Sequence, residues 1–129
     1  VAAEQILDVW PKVEPGLSVI RKRCKAQWFE RDIRRHLLER RASLFVSEQG
    51  FLILEKCSEP LTFEPYLNVW LMFFRAGEAK KRKTELVAWL DAFAKHERCV
   101  TWKFSSPREE WAGEMKDVCE VEVITWRRT

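Results

Sequence analysis

The residues of this 129-residue chain best suited to chemistry run from Arg75 to Lys83: Arg75, Ala76, Gly77, Glu78 and Ala79, then Lys80, Lys81, Arg82 and Lys83. Five basic side chains against one Glu make the stretch cationic. A glycine allows a sharp turn and a close approach of backbone to ligand. A helix amino end leaves N–H groups unpaired and carries a positive partial charge. Those are the components of a phosphate site. A connection with a solvated basic first turn accounts for the same residues equally well.

Two elements must position that turn. Tyr66–Phe74 is an apolar run of nine residues with little alternation, which suits a central strand buried on both faces. From Lys80 onward Leu86, Leu90 and Phe93, with Val87 and Ala94 beside them, share one face of a helix. The unit is a strand, a glycine turn and a helix.

Other titratable groups carry weaker signals. His36 falls on a helical pattern and His96 near a helix end, neither with a nucleophile at a known spacing, so both read as structural or dipole-facing. Glu114, Asp117, Glu120 and Glu122 could meet a cation, but alternation in a strand splits them between faces, and a metal site is not expected. Cys24, Cys57, Cys99 and Cys119 lie far apart with no CxxC pair and read as free thiols. Residues 21–41 hold nine basic and three acidic side chains among helical apolar positions, which fits a solvated outer face better than a polyanion site.

The formal charge of +3 does not single out a nucleic-acid binder. Seven Trp and eight Phe imply a large aromatic core or an exposed contact surface. No apolar run reaches the ~18 residues of a membrane span and no signal peptide is visible, so a reducing, cytoplasmic setting is expected.

In chain order, Ala3–Trp10 predicts a short helix interrupted by Pro11 and Pro15, and a second helix starts near Gly16 with Leu17, Ile20 and Cys24 apolar. A third runs from about Phe29 to Arg40 through Ile33 and Leu37. Ser43–Ser47 and Phe51–Lys56 predict a hairpin around Glu48-Gln49-Gly50, with Gly50 supplying unusual backbone angles. Tyr66–Phe74 should lie mid-sheet with Val69 and Leu71 almost fully buried. Cys99–Ser105 alternates, with Val100, Trp102 and Phe104 on one side. Ser106, Pro107 and Glu109 start a short helix, and Cys119–Trp126 forms a last strand. A strand–helix–strand unit implies a parallel crossover beside the antiparallel hairpin. The class is therefore α+β with a mixed sheet, in a single domain spanning 1–129.

That succession resembles the GNAT acyltransferase superfamily. The family's signature turn, Gln/Arg-x-x-Gly-x-Gly/Ala, lies between its fourth strand and third helix and holds the coenzyme A pyrophosphate. Gly77 and Ala79 match Gly-x-Ala, whereas Phe74 stands at the Gln/Arg position and the nearest Arg is displaced to Arg75. Tyr66-Leu67-Asn68-Val69-Trp70, Ser105-Ser106-Pro107-Arg108 and Trp111 further resemble short GNAT-like proteins of tailed phages. The resemblance implies a mostly antiparallel sheet flanked by helices, here without the family's first strand. It also implies acetyl-CoA bound by Arg75, Ala76, Gly77, Glu78, Ala79 and Lys80, and acetyl transfer to an amine.

Such a transfer needs a base near the amine and often an acid for the thiolate. The family's frequent base is a Glu on or near the fourth strand, which points to Glu64. Its frequent acid is a Tyr after the fourth helix, but the chain's one tyrosine is Tyr66, at the start of the central strand. Three readings follow: an N-acetyltransferase; a non-catalytic GNAT-like phage accessory or host-interaction protein, with a protein partner or as a homodimer, in host cytoplasm or virion; and, least favoured, a nucleic-acid binder using residues 21–41.

Overall fold

The computed structural model describes residues 1–75 and 81–104, the Cys24 side chain excepted. The readings that fall on 76–80 and 105–129 lie outside the described residues. A single 3-10 turn (Ala3–Gln5) leads into α1 (Ile6–Cys24), followed by α2 (Glu30–Leu38). Next come β1 (Ser43–Val46), β2 (Gly50–Ser58) and β3 (Pro65–Phe74), then α3 (Lys83–His96) and β4 (Thr101–Phe104). The sheet order is β1-β2-β3-β4, antiparallel except for the parallel pair β3–β4. The class is α+β, and among the described residues no strand precedes α1.

α1 corrects the expectation of a break. One helix runs through both Pro11 and Pro15. Each proline removes a backbone donor and costs about 3 kcal/mol in a helix interior. Pro11 and Pro15 both lie on the exposed side, where water can serve the carbonyls they leave unpaired. Ile6, Trp10, Val13 and Leu17 are buried in one stripe against the sheet. At about 1.5–3 kcal/mol per fully buried side chain, that stripe outweighs two prolines.

α1 ends with Lys25 in the left-handed region, its N–H bonded to the Arg21 carbonyl. The Arg21 guanidinium and the Ser18 hydroxyl both donate to Glu30 Oε1, at 2.6 and 3.1 Å, and so tie the end of α1 to the start of α2. The Phe29 N–H donates to Asp32 Oδ2 at 2.8 Å and closes the first turn of α2. Ile33 and Leu37 then face the core one turn apart.

The sheet lies between two helical layers. On one side α1 and α2 pack on Leu44, Phe51, Ile53 and Leu71; on the other α3 sets Leu86 and Leu90 on Leu52, Leu54 and Val69. Val69 and Leu71 are 3% and 9% exposed, as the apolar run predicted. Val100 departs from its reading: it precedes β4 and is 67% exposed, while Trp102 and Phe104 pack on the α3 side.

Gly50 also acts differently from expectation. It is the first residue of β2, and what it supplies is space: a Cβ there would stand 1.9 Å from the Phe73 carbonyl oxygen. Only glycine lets β2 and β3 close at that end.

Candidate active site on the central strand

β3 carries one irregularity. Ile53 pairs with Leu71 and Leu54 with Val69, so Trp70 is an extra residue without a partner on β2. Such a bulge shifts the facing of everything beyond it. Leu67 and Val69 face α3, whereas Leu71 and Phe73 pack with the α1–α2 layer, as does Trp70. The parallel pairing with β4 runs from Tyr66–Thr101 to Val69–Phe104, the last described residue of that strand. Beyond the bulge, Leu71–Phe74 pairs with β2 from Ile53 back to Gly50. A bulge leaves main-chain groups of a central strand without a partner on the neighbouring strand, where an extended ligand can meet them.

Beyond Phe74 the chain reaches the basic stretch. Arg75 has an exposed side chain, and its N–H donates to the Gln49 carbonyl at 2.8 Å. That amide is thus committed to the β1–β2 turn, and the side chain is what Arg75 can offer an anion. Ala76, Gly77, Glu78, Ala79 and Lys80 lie outside the described residues. On the far side, Lys81 is exposed and the Arg82 guanidinium donates to Glu85 at 3.2 Å. A cavity of about 530 Å³ opens between the β1–β2 hairpin and α3, bordered by Gln49, Phe74, Arg82 and Trp89.

The α1–α2 side of the sheet carries a polar row beside the bulge. Asn68 Nδ2 donates to Glu55 Oε1 at 3.1 Å across the β2–β3 pair. Glu55 Oε2 lies 3.6 Å from His36 Nε2, and the His36 ring meets Trp70 edge to face at 5.0 Å. The His36 and Glu55 side chains are 28% and 25% exposed, yet His36 Nε2 is itself buried and makes no hydrogen bond. Sequence reading passed over this pair. Nineteen positions separate the two residues, and α2 and β2 meet only in the fold; the one hint was a Glu set directly after the apolar run Phe51–Leu54.

A second group sits further toward the start of β3. Tyr66 stands opposite Cys57, and the Lys103 ammonium lies 4.7 Å from the Tyr66 ring centroid while hydrogen-bonding to Glu59. Burial pushes the Tyr66 hydroxyl and both the Cys57 and Cys99 thiols above their ordinary values. Cys57 and Cys99 are free thiols. Glu64 is exposed in the turn before β3. Six strand residues, about 20 Å, separate it from Trp70, so the fold does not bring the two together.

No family model matches the chain, and no curated protein does. Solved structures do. A ribosomal-protein-alanine N-acetyltransferase from Brucella melitensis biovar Abortus 2308 superposes with a TM-score of 0.67 at 16% identity, covering 100% of this chain and 95% of that one. An aminoglycoside acetyltransferase from an uncultured soil metagenomic sample, in complex with trehalose, gives 0.63 at 14% identity over 100% and 92%. An aminoglycoside N-acetyltransferase in complex with coenzyme A gives 0.56 at 12% identity over 89% and 92%. At these identities the likeness is one of fold, and the fold is GNAT-like.

Proposed function

We propose that this protein binds acetyl-CoA along β3 beyond its bulge and transfers the acetyl group to an amine. The observation that carries the reading is the bulge at Trp70, in a strand whose continuation is the basic Gly77 stretch. Trp70–Phe74 offers main-chain groups to an extended pantetheine arm. The 75–83 stretch supplies Arg75, Lys80 and Lys81 to a pyrophosphate, with Gly77 and Ala79 in the matching positions of the family turn. The fold neighbours support this, since one of them is a complex with coenzyme A.

A non-catalytic interaction protein on the same fold is the second reading. It is favoured by the chain's single tyrosine, Tyr66, which sits with Cys57 and Lys103 at the start of β3 and not beside the bulge. It is also favoured by Leu61 and Phe63, 93% and 77% exposed on the β2–β3 turn. Calorimetry separates the two. The acyltransferase reading requires saturable binding of coenzyme A and acetyl-CoA, and no heat at millimolar ligand would leave the interaction protein in its place.

A further inference from the structure

We infer that His36 and Glu55 form the proton-accepting pair for a primary-amine acceptor, an assignment that rests on the acyltransferase reading above. The site is built from three elements. α2 supplies His36, β2 supplies Glu55, and β3 supplies Asn68 to hold the carboxylate and Trp70 to hold the ring. Asn68 occupies Glu55 Oε1, which leaves Oε2 directed at the imidazole from 3.6 Å. That gap is too long for a hydrogen bond. His36 Nε2 is therefore a buried nitrogen with no partner, a costly state in a finished core. A bound ammonium would supply the missing partner and would meet the Glu55 carboxylate beside it. Both side chains remain about one-quarter exposed, so an ammonium meets the pair from solvent and reaches the enclosed Nε2 by moving the Glu55 carboxylate aside.

The position relative to the acyl site follows from Trp70. Its ring touches His36, while its backbone is the bulge of β3, the strand proposed above to carry the acyl donor. Acceptor nitrogen and thioester carbonyl would thus meet across one residue. In the reaction, neutral His36 takes one proton from the R–NH3⁺ group at Nε2, and Glu55 Oε2 stabilises the imidazolium so formed. The freed lone pair makes the N–C bond to the thioester carbonyl carbon. As the C–S bond breaks, its electron pair leaves on sulfur, and the second N–H proton goes to that thiolate. His36 returns its proton to solvent, so the products are the amide, the free thiol and one proton.

The test uses the full chain and three probes: spermidine, a peptide beginning with alanine, and the aminoglycoside sisomicin. Thiol release from acetyl-CoA gives kcat and KM, and calorimetry gives amine and coenzyme A affinities separately. We expect at least one probe to be acetylated by the wild type. His36→Ala should lower kcat at least 100-fold with coenzyme A affinity within twofold, and added imidazole should restore at least tenfold. Glu55→Gln, which keeps the Asn68 contact and the side-chain shape, should weaken binding of that amine at least tenfold and leave coenzyme A binding unchanged. A merely structural histidine would not respond to imidazole. The inference is overturned if coenzyme A binds but no probe is acetylated, if His36→Ala keeps kcat within threefold, or if imidazole restores nothing. Failure of the wild type to bind coenzyme A overturns the acyltransferase reading itself.

Discussion

The amide of Arg75 is clamped to the carbonyl of Gln49 at 2.8 Å, so the β1–β2 turn fixes the point at which the basic stretch leaves β3. With that amide committed, the N–H groups proposed to face a pyrophosphate begin after Arg75. Charge and backbone contribute unequally there. Gly77→Val would put a branched side chain where the phosphate must approach, and we expect it to abolish coenzyme A binding. Lys81→Ala should weaken binding less than about threefold, because exposed charges are screened and the neighbouring cations are redundant. Equal losses in the two variants, measured by calorimetry, would contradict a backbone-built site.

The glycines at the β2 and α1 contacts differ in what surrounds them. At Gly50 an added Cβ meets the Phe73 carbonyl oxygen at 1.9 Å, and two paired strands cannot yield without breaking register. At Gly16 it meets the Phe51 and Phe73 rings at 2.6 and 2.9 Å, and alanine gains about 1 kcal/mol of helix propensity in return. We expect Gly50→Ala to cost more than about 3 kcal/mol and Gly16→Ala about 0–2 kcal/mol in denaturant unfolding.

Much of the frame was legible in the residues. β3 and α3 announce themselves by a nine-residue apolar run and by Leu86, Leu90 and Ala94 at helical spacing, because burial of those side chains outweighs every local preference there. α1 was hidden by Pro11 and Pro15, whose local rule yields to the buried stripe that the helix carries through them. The bulge at Trp70 has no sequence mark, since it is defined by which β2 residues face it. The His36–Glu55 pair was illegible for the same reason: its members meet through tertiary packing, while sequence spacing reports only neighbours within one element. Glu64 was assigned through its position before the strand, and the structure places it there, exposed, in the turn that leads into β3.

The Arg21–Glu30 contact predicts a pH effect of known sign. Arg21 beside it, then hydrogen bonding from its own backbone, holds the Glu30 carboxyl below its ordinary value. A depressed native value means stability that is present above the unfolded value, near 4.3, and is lost as pH falls through the native one. Glu30→Gln should cost about 1 kcal/mol at pH 7 and progressively less toward pH 3, by urea unfolding across that range. A cost independent of pH would contradict the pairing.

The raised thiols and hydroxyl act at the other end of the scale. Cys57, Cys99 and Tyr66 are each shifted upward, chiefly by burial. Groups with raised native values hold their protons longer when folded, so their contribution is complete below the unfolded values, near 8.5 and 10, and lost as pH rises through the native ones. Stability should therefore decline above about pH 9. The Cys57 and Cys99 thiols should react with iodoacetamide at pH 7.5 at least tenfold more slowly in the native than in the urea-unfolded protein. Equal rates would show that neither thiol is shielded.

The placement of acetyl-CoA on the central strand is tested most directly by an amide chemical-shift titration of the ¹⁵N-labelled protein with coenzyme A. Saturable shifts are expected to concentrate at Trp70–Phe74 and in the 76–83 stretch, with the exposed side of α1 unmoved. Shifts confined to the β2–β3 turn or to residues 21–41, or none at millimolar ligand, would contradict that placement.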